Sequence, residues 1–184
     1  MGSSRILFLA PLAIFILVAA VAGYYLLENR DPRLLPSAMI NKPAPTFRLN
    51  GLSVDGREVA KGFSSDNFKG HITVLNFFAS WCGPCLVEHP QVMALAGMRG
   101  VVVLGVNYKN KPVDAAAWLA RNGNPYARIG VDPQGDLALE FGLYAVPETF
   151  VIDHTGRIRV KHVGPITEDV LQENLLPAIR ALQR

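Results

Sequence analysis

Hydrophobic positions are spread unevenly along this chain, and their spacing changes twice. Ile6 to Leu27 is apolar without a single charged residue, reading ILFLAPLAIFILVAAVAGYYLL. At about 1.5 Å rise per residue, a helix of that length crosses the roughly 30 Å hydrocarbon core of a bilayer. Arg5 precedes the run and Tyr24-Tyr25 stand near its end, where a ring can be buried while its hydroxyl stays wet. Residues 6–27 are therefore predicted to form a transmembrane signal anchor, with residues 1–5 as a short leading segment. A cleaved signal peptide competes, because Ala20-Val21-Ala22 offers a cleavage site. The apolar run continues past that site, which favours the anchor over both cleavage and a buried soluble helix. Residues 28–42 are polar and proline-marked and predict a tether.

From residue 43 the pattern becomes that of a folded domain. Thr46–Leu49 and Gly56–Val59 flank a loop containing Gly51 and Asp55-Gly56, which predicts a hairpin. Ser64–Phe68 reads as a helical turn. His71–Phe78 is almost continuously apolar, as suits a central strand buried on both faces. Cys85 to about Gly97 predicts a helix kinked at Pro90. Val101–Val106 is a second buried strand, and Pro112–Asn122 a helix with proline in its first turn. Ile129–Val131 is a short strand, and Gln134–Phe141 a helix closed by Gly142. Thr149–Ile152 and Ile158–His162 form a hairpin around Asp153-His154-Thr155-Gly156. Thr167 caps a last helix running to about Leu182, with Glu168 and Asp169 in its first turn. Alternating strands and helices, then a hairpin and a terminal helix, predict an α/β domain over residues 43–184, a central mixed sheet flanked by helices.

Charge adds little. The net charge is +3, but beyond residue 30 there are 16 Lys/Arg against 14 Asp/Glu, with no basic stripe to suggest nucleic acid. Cysteine adds more. Cys82 and Cys85 are the only two, in Trp81-Cys82-Gly83-Pro84-Cys85. Zinc needs a second Cys/His pair, and the four histidines are scattered, so no metal or cofactor is implied. A structural disulfide remains possible, but the pair's place at a strand-to-helix junction favours redox chemistry. There, unpaired N–H groups and the helix dipole favour the Cys82 thiolate, the attacking species. Cys85, one turn further on, would resolve the mixed disulfide. Gly83 and Pro84 tune the thiols, and Pro84 fits a first helical turn.

Asn76 to Cys85, followed by Pro90, resembles the active-site strand, motif and helix of the thioredoxin superfamily over roughly residues 43–184. The resemblance implies a thioredoxin fold and a cis Val146-Pro147 bond beside the dithiol, where Val146 would offer its backbone to an extended substrate peptide. Thioredoxins bury an aspartate where this chain has Asn76, and Glu88 is positioned to take over as proton acceptor. The anchor, Glu88-His89-Pro90 and the Pro147-Glu148-Thr149-Phe150 run resemble more narrowly the CcmG/DsbE family, the periplasmic thioredoxins of cytochrome c maturation. That implies an inner-membrane protein with residues 1–5 in the cytoplasm and residues 28–184 in the periplasm. It would act as a protein-disulfide reductase on the haem-binding Cys-x-x-Cys-His pair of apocytochrome c. A membrane electron donor of the DsbD/CcdA type would re-reduce it. Glu148 would give the substrate groove acidic character. Gly83-Pro84 is the dipeptide of general thioredoxins, so a reductase with other clients stays open, as do a noncovalent apocytochrome-binding module and a dithiol oxidase.

Overall fold

The computed structural model describes residues 38–183, together with residues 11, 13–21, 23 and 24. The chain divides into two units, Met1–Leu35 and Pro36–Arg184. In the first, residues 13–21 are helical, with Ile14, Phe15, Ile16 and Leu17 exposed. Among the described residues no helix is long and apolar enough to cross a membrane. Much of the expected span, together with residues 1–5 and most of the tether, lies outside the described residues.

The second unit is built on a five-stranded mixed sheet. Its strands are β5 (Ile72–Phe78), β6 (Val101–Tyr108), β7 (Arg128–Asp132), β8 (Glu148–Ile152) and β9 (Ile158–Val163), in the order β7-β6-β5-β8-β9. β5, β6 and β7 run parallel, and β8 and β9 are antiparallel additions. Every residue of β5 is buried, as its near-continuous apolar run predicts. Helix α1 (Gly83–Ala96) runs on through Pro90. Helix α2 is Pro112–Asn122, as predicted. Helix α3 is Asp136–Glu140. Helix α4, residues 168–182, carries a widened π-type stretch at Leu171–Leu175, separated by Leu176 from Pro177, which has no N–H to offer the preceding turn.

Side chains alternate across β5 and sort the core into two layers. Val74 and Phe78 join Val92, Trp118, Leu175 and Ile179 from α1, α2 and α4. Leu75 and Phe77 join Phe141, Phe150 and the N-terminal segment through Phe47, Phe63 and Phe68.

The outer edge of β7 is covered along the strand, and that of β9 at its first residue. On β7, the Ile129 and Val131 amides donate to the Lys61 and Asn50 carbonyls. Gly130 permits this approach, since a Cβ there would lie 2.6 Å from Leu49 Cβ. On β9, the Asn41 amide donates to the Ile158 carbonyl at 2.7 Å, and the Ile158 amide to the Lys42 carbonyl at 3.0 Å.

Two expectations are corrected here. Residues 38–42 belong to the folded unit rather than to a tether, because the unpaired backbone of β9 recruits them as a partner and Met39 and Ile40 pack on the core. The predicted hairpin is shifted. Asp55 and Gly56 have φ of 49° and 75°, the left-handed pair of a two-residue turn, so the strands joined are β2 (Leu52–Val54) and β3 (Arg57–Ala60). Arg48–Leu49 (β1) pairs instead with Phe63–Ser64 (β4).

Candidate functional site

Cys82 is the N-cap residue of α1, and Cys85 sits at its first turn; the two are joined as a disulfide with Cα atoms 5.3 Å apart. The Cys85 amide donates to Cys82 Sγ at 3.1 Å. A donor aimed at that sulfur, at the positive end of a 14-residue helix, favours negative charge on Cys82 in the reduced protein. Cys82 and Cys85 are 4% and 2% exposed, so the two differ less than their attacking and resolving positions suggest. Gly83 and Pro84 lie exposed at the helix start. Trp81 is 58% exposed, yet its indole is held, with Nε1 donating to the Lys109 carbonyl at 3.1 Å.

Under α1 lies a closed polar network. Glu88 follows Cys85 by one turn on the helix's inward face. Its Oε1 accepts from Asn76 Nδ2 at 2.7 Å and its Oε2 from the Ile166 amide at 3.0 Å. Asn76 also donates to Thr149 Oγ1 at 3.0 Å and accepts from the Tyr126 hydroxyl at 2.7 Å. Gly105 makes room for that tyrosine, since a Cβ there would stand 2.8 Å from the ring. Burial raises the Glu88 pKa from 4.5 to about 7, against the opposing pull of the Ile166 and Asn76 donors. Burial, and then the Glu88 charge, push the Tyr126 hydroxyl well above its ordinary value. Neighbouring His89 packs edge-on to Trp118, and burial lowers its pKa.

The Val146-Pro147 bond is cis, as the resemblance implied. Val146 packs against the core cluster that contains both cysteines. Glu148 behaves differently from expectation. Its side chain is wholly buried on the opposite face of the sheet from Asn76, with Lys161 Nζ 2.7 Å from Oε1, and Oε2 accepts from the Tyr144 amide at 3.0 Å. It therefore lends no acidic surface to a substrate groove. Burial raises its pKa, while Lys161 and the Tyr144 and Ala145 amides pull the other way.

The structure thus brings Asn76 and Glu88 into one network and places Cys82 and Cys85 at the head of the same helix. Tyr126, Thr149, Ile166 and Lys161 were not singled out from sequence. Only Thr149 carried a signal, since it alternates with Val151 onto the sheet face of Asn76.

Residues 39–176 match the Redoxin family. The thiol:disulfide interchange protein HelX of Rhodobacter capsulatus is 41% identical over 158 residues, 86% of this chain and 87% of that protein. The thiol:disulfide interchange protein DsbE of Pseudomonas fluorescens is 42% identical over 97% of this chain and 96% of its own length. The chain belongs to the DsbE family. Among solved structures, a thiol:disulfide interchange protein DsbE from Chlorobium tepidum superposes with a TM-score of 0.63 at 29% identity, covering 76% of this chain and 97% of that one. A DsbE-family chain with a thioredoxin-like α/β fold and a single dithiol is a thiol:disulfide oxidoreductase. Its two sulfurs cycle between the disulfide present here and two thiols.

Proposed function

We propose that this protein is a membrane-anchored periplasmic reductant of cytochrome c maturation that reduces the haem-binding Cys-x-x-Cys-His disulfide of apocytochrome c. The observation that carries the chemistry is the Cys82–Cys85 pair on α1 with Glu88, whose pKa is about 7, buried one turn beyond it. The Cys82 thiolate attacks one client sulfur. The client S–S bond breaks, a Cys82–client disulfide forms, and one client thiolate leaves. Cys85 then loses its proton and attacks Cys82 Sγ, which restores the Cys82–Cys85 disulfide and releases the second client thiol. Two electrons have passed to the client. With no third cysteine, the oxidised pair must be re-reduced by a dithiol on another protein, assigned here to a DsbD/CcdA-type donor in the membrane.

In this reading Glu88 is the proton acceptor for Cys85, with Asn76 orienting its carboxyl. Val146 and Pro147 form the client-binding strand edge, and Trp81, Gly83 and Pro84 frame the sulfur. Residues 6–27 are the anchor, residues 1–5 face the cytoplasm, and the folded unit stands in the periplasm. The exposed apolar side chains of helical residues 14–17 support that assignment.

Cys85→Ser expressed in membranes should trap a covalent apocytochrome adduct that dissolves with reductant. If no apocytochrome is captured, the client assignment fails. Gly83-Pro84 favours a second reading, a reductase with broader clients. A strain lacking the protein that still makes c-type cytochromes would select it.

A further inference from the structure

Lys161 stands in β9 with its side chain only 5% exposed. Besides its ion pair with Glu148, Nζ donates to the Gly142 carbonyl at 2.6 Å and lies 4.6 Å from the Tyr144 ring centroid and 5.4 Å from that of Phe150. Glu148 in turn holds the Tyr144 amide, and the Gly164 amide donates to the Pro147 carbonyl at 3.0 Å. Residues 142–148, which include the cis bond, are thus tied at Gly142, Tyr144, Pro147 and Glu148. Among the described residues the backbone of Val146 has no hydrogen-bond partner. Tyr144 is 75% exposed although its ring is gripped by a cation and its amide by a carboxylate. Burying an ammonium is unfavourable, and a methionine would fill the same space without that desolvation. What the lysine adds is connection, since one cation joins a carbonyl, a carboxylate and a ring.

We propose that Lys161 is a positioning residue for client capture. It fixes residues 142–148 so that the Val146 backbone and the Tyr144 ring meet an extended, disulfide-bearing peptide in set geometry. The exposed ring then selects clients with an apolar or aromatic side chain beside their cysteines. The proposal rests on the peptide-disulfide reductase reading given above.

The test compares reduced wild type, Lys161→Met and Tyr144→Ala on two substrates. One is an aromatic-flanked peptide closed by a Cys-x-x-Cys disulfide; the other is dithiobis(nitrobenzoate), a small disulfide that needs no groove. Lys161→Met should raise KM for the peptide about tenfold, leaving kcat and the small-disulfide rate within about twofold. Tyr144→Ala should act in the same direction but less strongly, and the double variant should be no worse than Lys161→Met alone. Equal losses on both substrates, or none on either, overturn the proposal. Should Lys161→Met fail to fold, Lys161→Met/Glu148→Gln removes the stranded buried charge and is judged by the same ratio. If wild type reduces the small disulfide but not the peptide, the reductase reading itself falls and takes this proposal with it.

Discussion

Two glutamates are buried on opposite faces of one sheet, and their partners differ in kind. Glu88 is held by neutral donors alone, the Asn76 amide and the Ile166 backbone. Glu148 is held by a lysine. Neutral donors satisfy the carboxylate's lone pairs without cancelling its charge, so burial prevails and its proton is exchangeable near neutrality. Burial raises the Glu148 pKa as well, but there an ammonium that is itself out of water pulls the other way. The same residue type is thus held by neutral donors on one face and by a cation on the other.

The largest effect that bears on this contrast is expected from Lys161→Met. Stripping a buried carboxylate of its cation should cost about 3–5 kcal/mol, read from urea unfolding at pH 7. A loss below about 1 kcal/mol would mean that the charge at Glu148 is not sustained by its partner.

Next is the pH dependence tied to Glu88. Its pKa is higher folded than unfolded, so the folded state binds the proton more tightly. Its contribution is fully present below pH 4.5, fades as pH rises, and is lost above about 7. In Glu88→Gln that slope should vanish, and the pH dependence of Cys85-dependent release of the mixed disulfide should lose its inflection near 7. An unchanged slope would place the titration elsewhere.

Smaller still is Tyr126→Phe. It leaves Asn76 Oδ1 without the hydroxyl it accepts, at a cost of about 1–3 kcal/mol by thermal or urea unfolding. Because the tyrosine does not bond Glu88 directly, the Glu88 inflection should stay near 7, and a large displacement would show that the two groups titrate as one. The least effect is expected from Asp66→Asn, which breaks the exposed Lys69–Asp66 pair (3.2 Å) at a cost under about 0.5 kcal/mol.

The sequence made the sheet legible because β5 and β6 are apolar throughout and α2 is bracketed by Pro112 and Gly123. It showed the dithiol and the candidate acid because their spacing along one helix is local. It did not show that Tyr126 reaches Asn76, a contact across 50 residues that depends on the empty space at Gly105. Nor did it show that residues 38–42 serve as a strand partner, since they lie between Pro36 and Pro43 in a proline-marked stretch that looks like linker until the edge of β9 is in view. The burial of Glu148 follows from its place on β8. It shares a face with Phe150 and Ile152 along β8, a strand buried on both sides.

The covered edges of the sheet carry a consequence for a protein that handles other chains' disulfides. Incompletely folded chains are the species most prone to add strands to any exposed β edge and to carry their host into aggregates. With Asn50 and Lys61 along β7 and Asn41 and Lys42 at the start of β9, the edge left to such a chain is shortened. In the function proposed above, it docks briefly at the Val146 backbone, exchanges sulfurs and leaves.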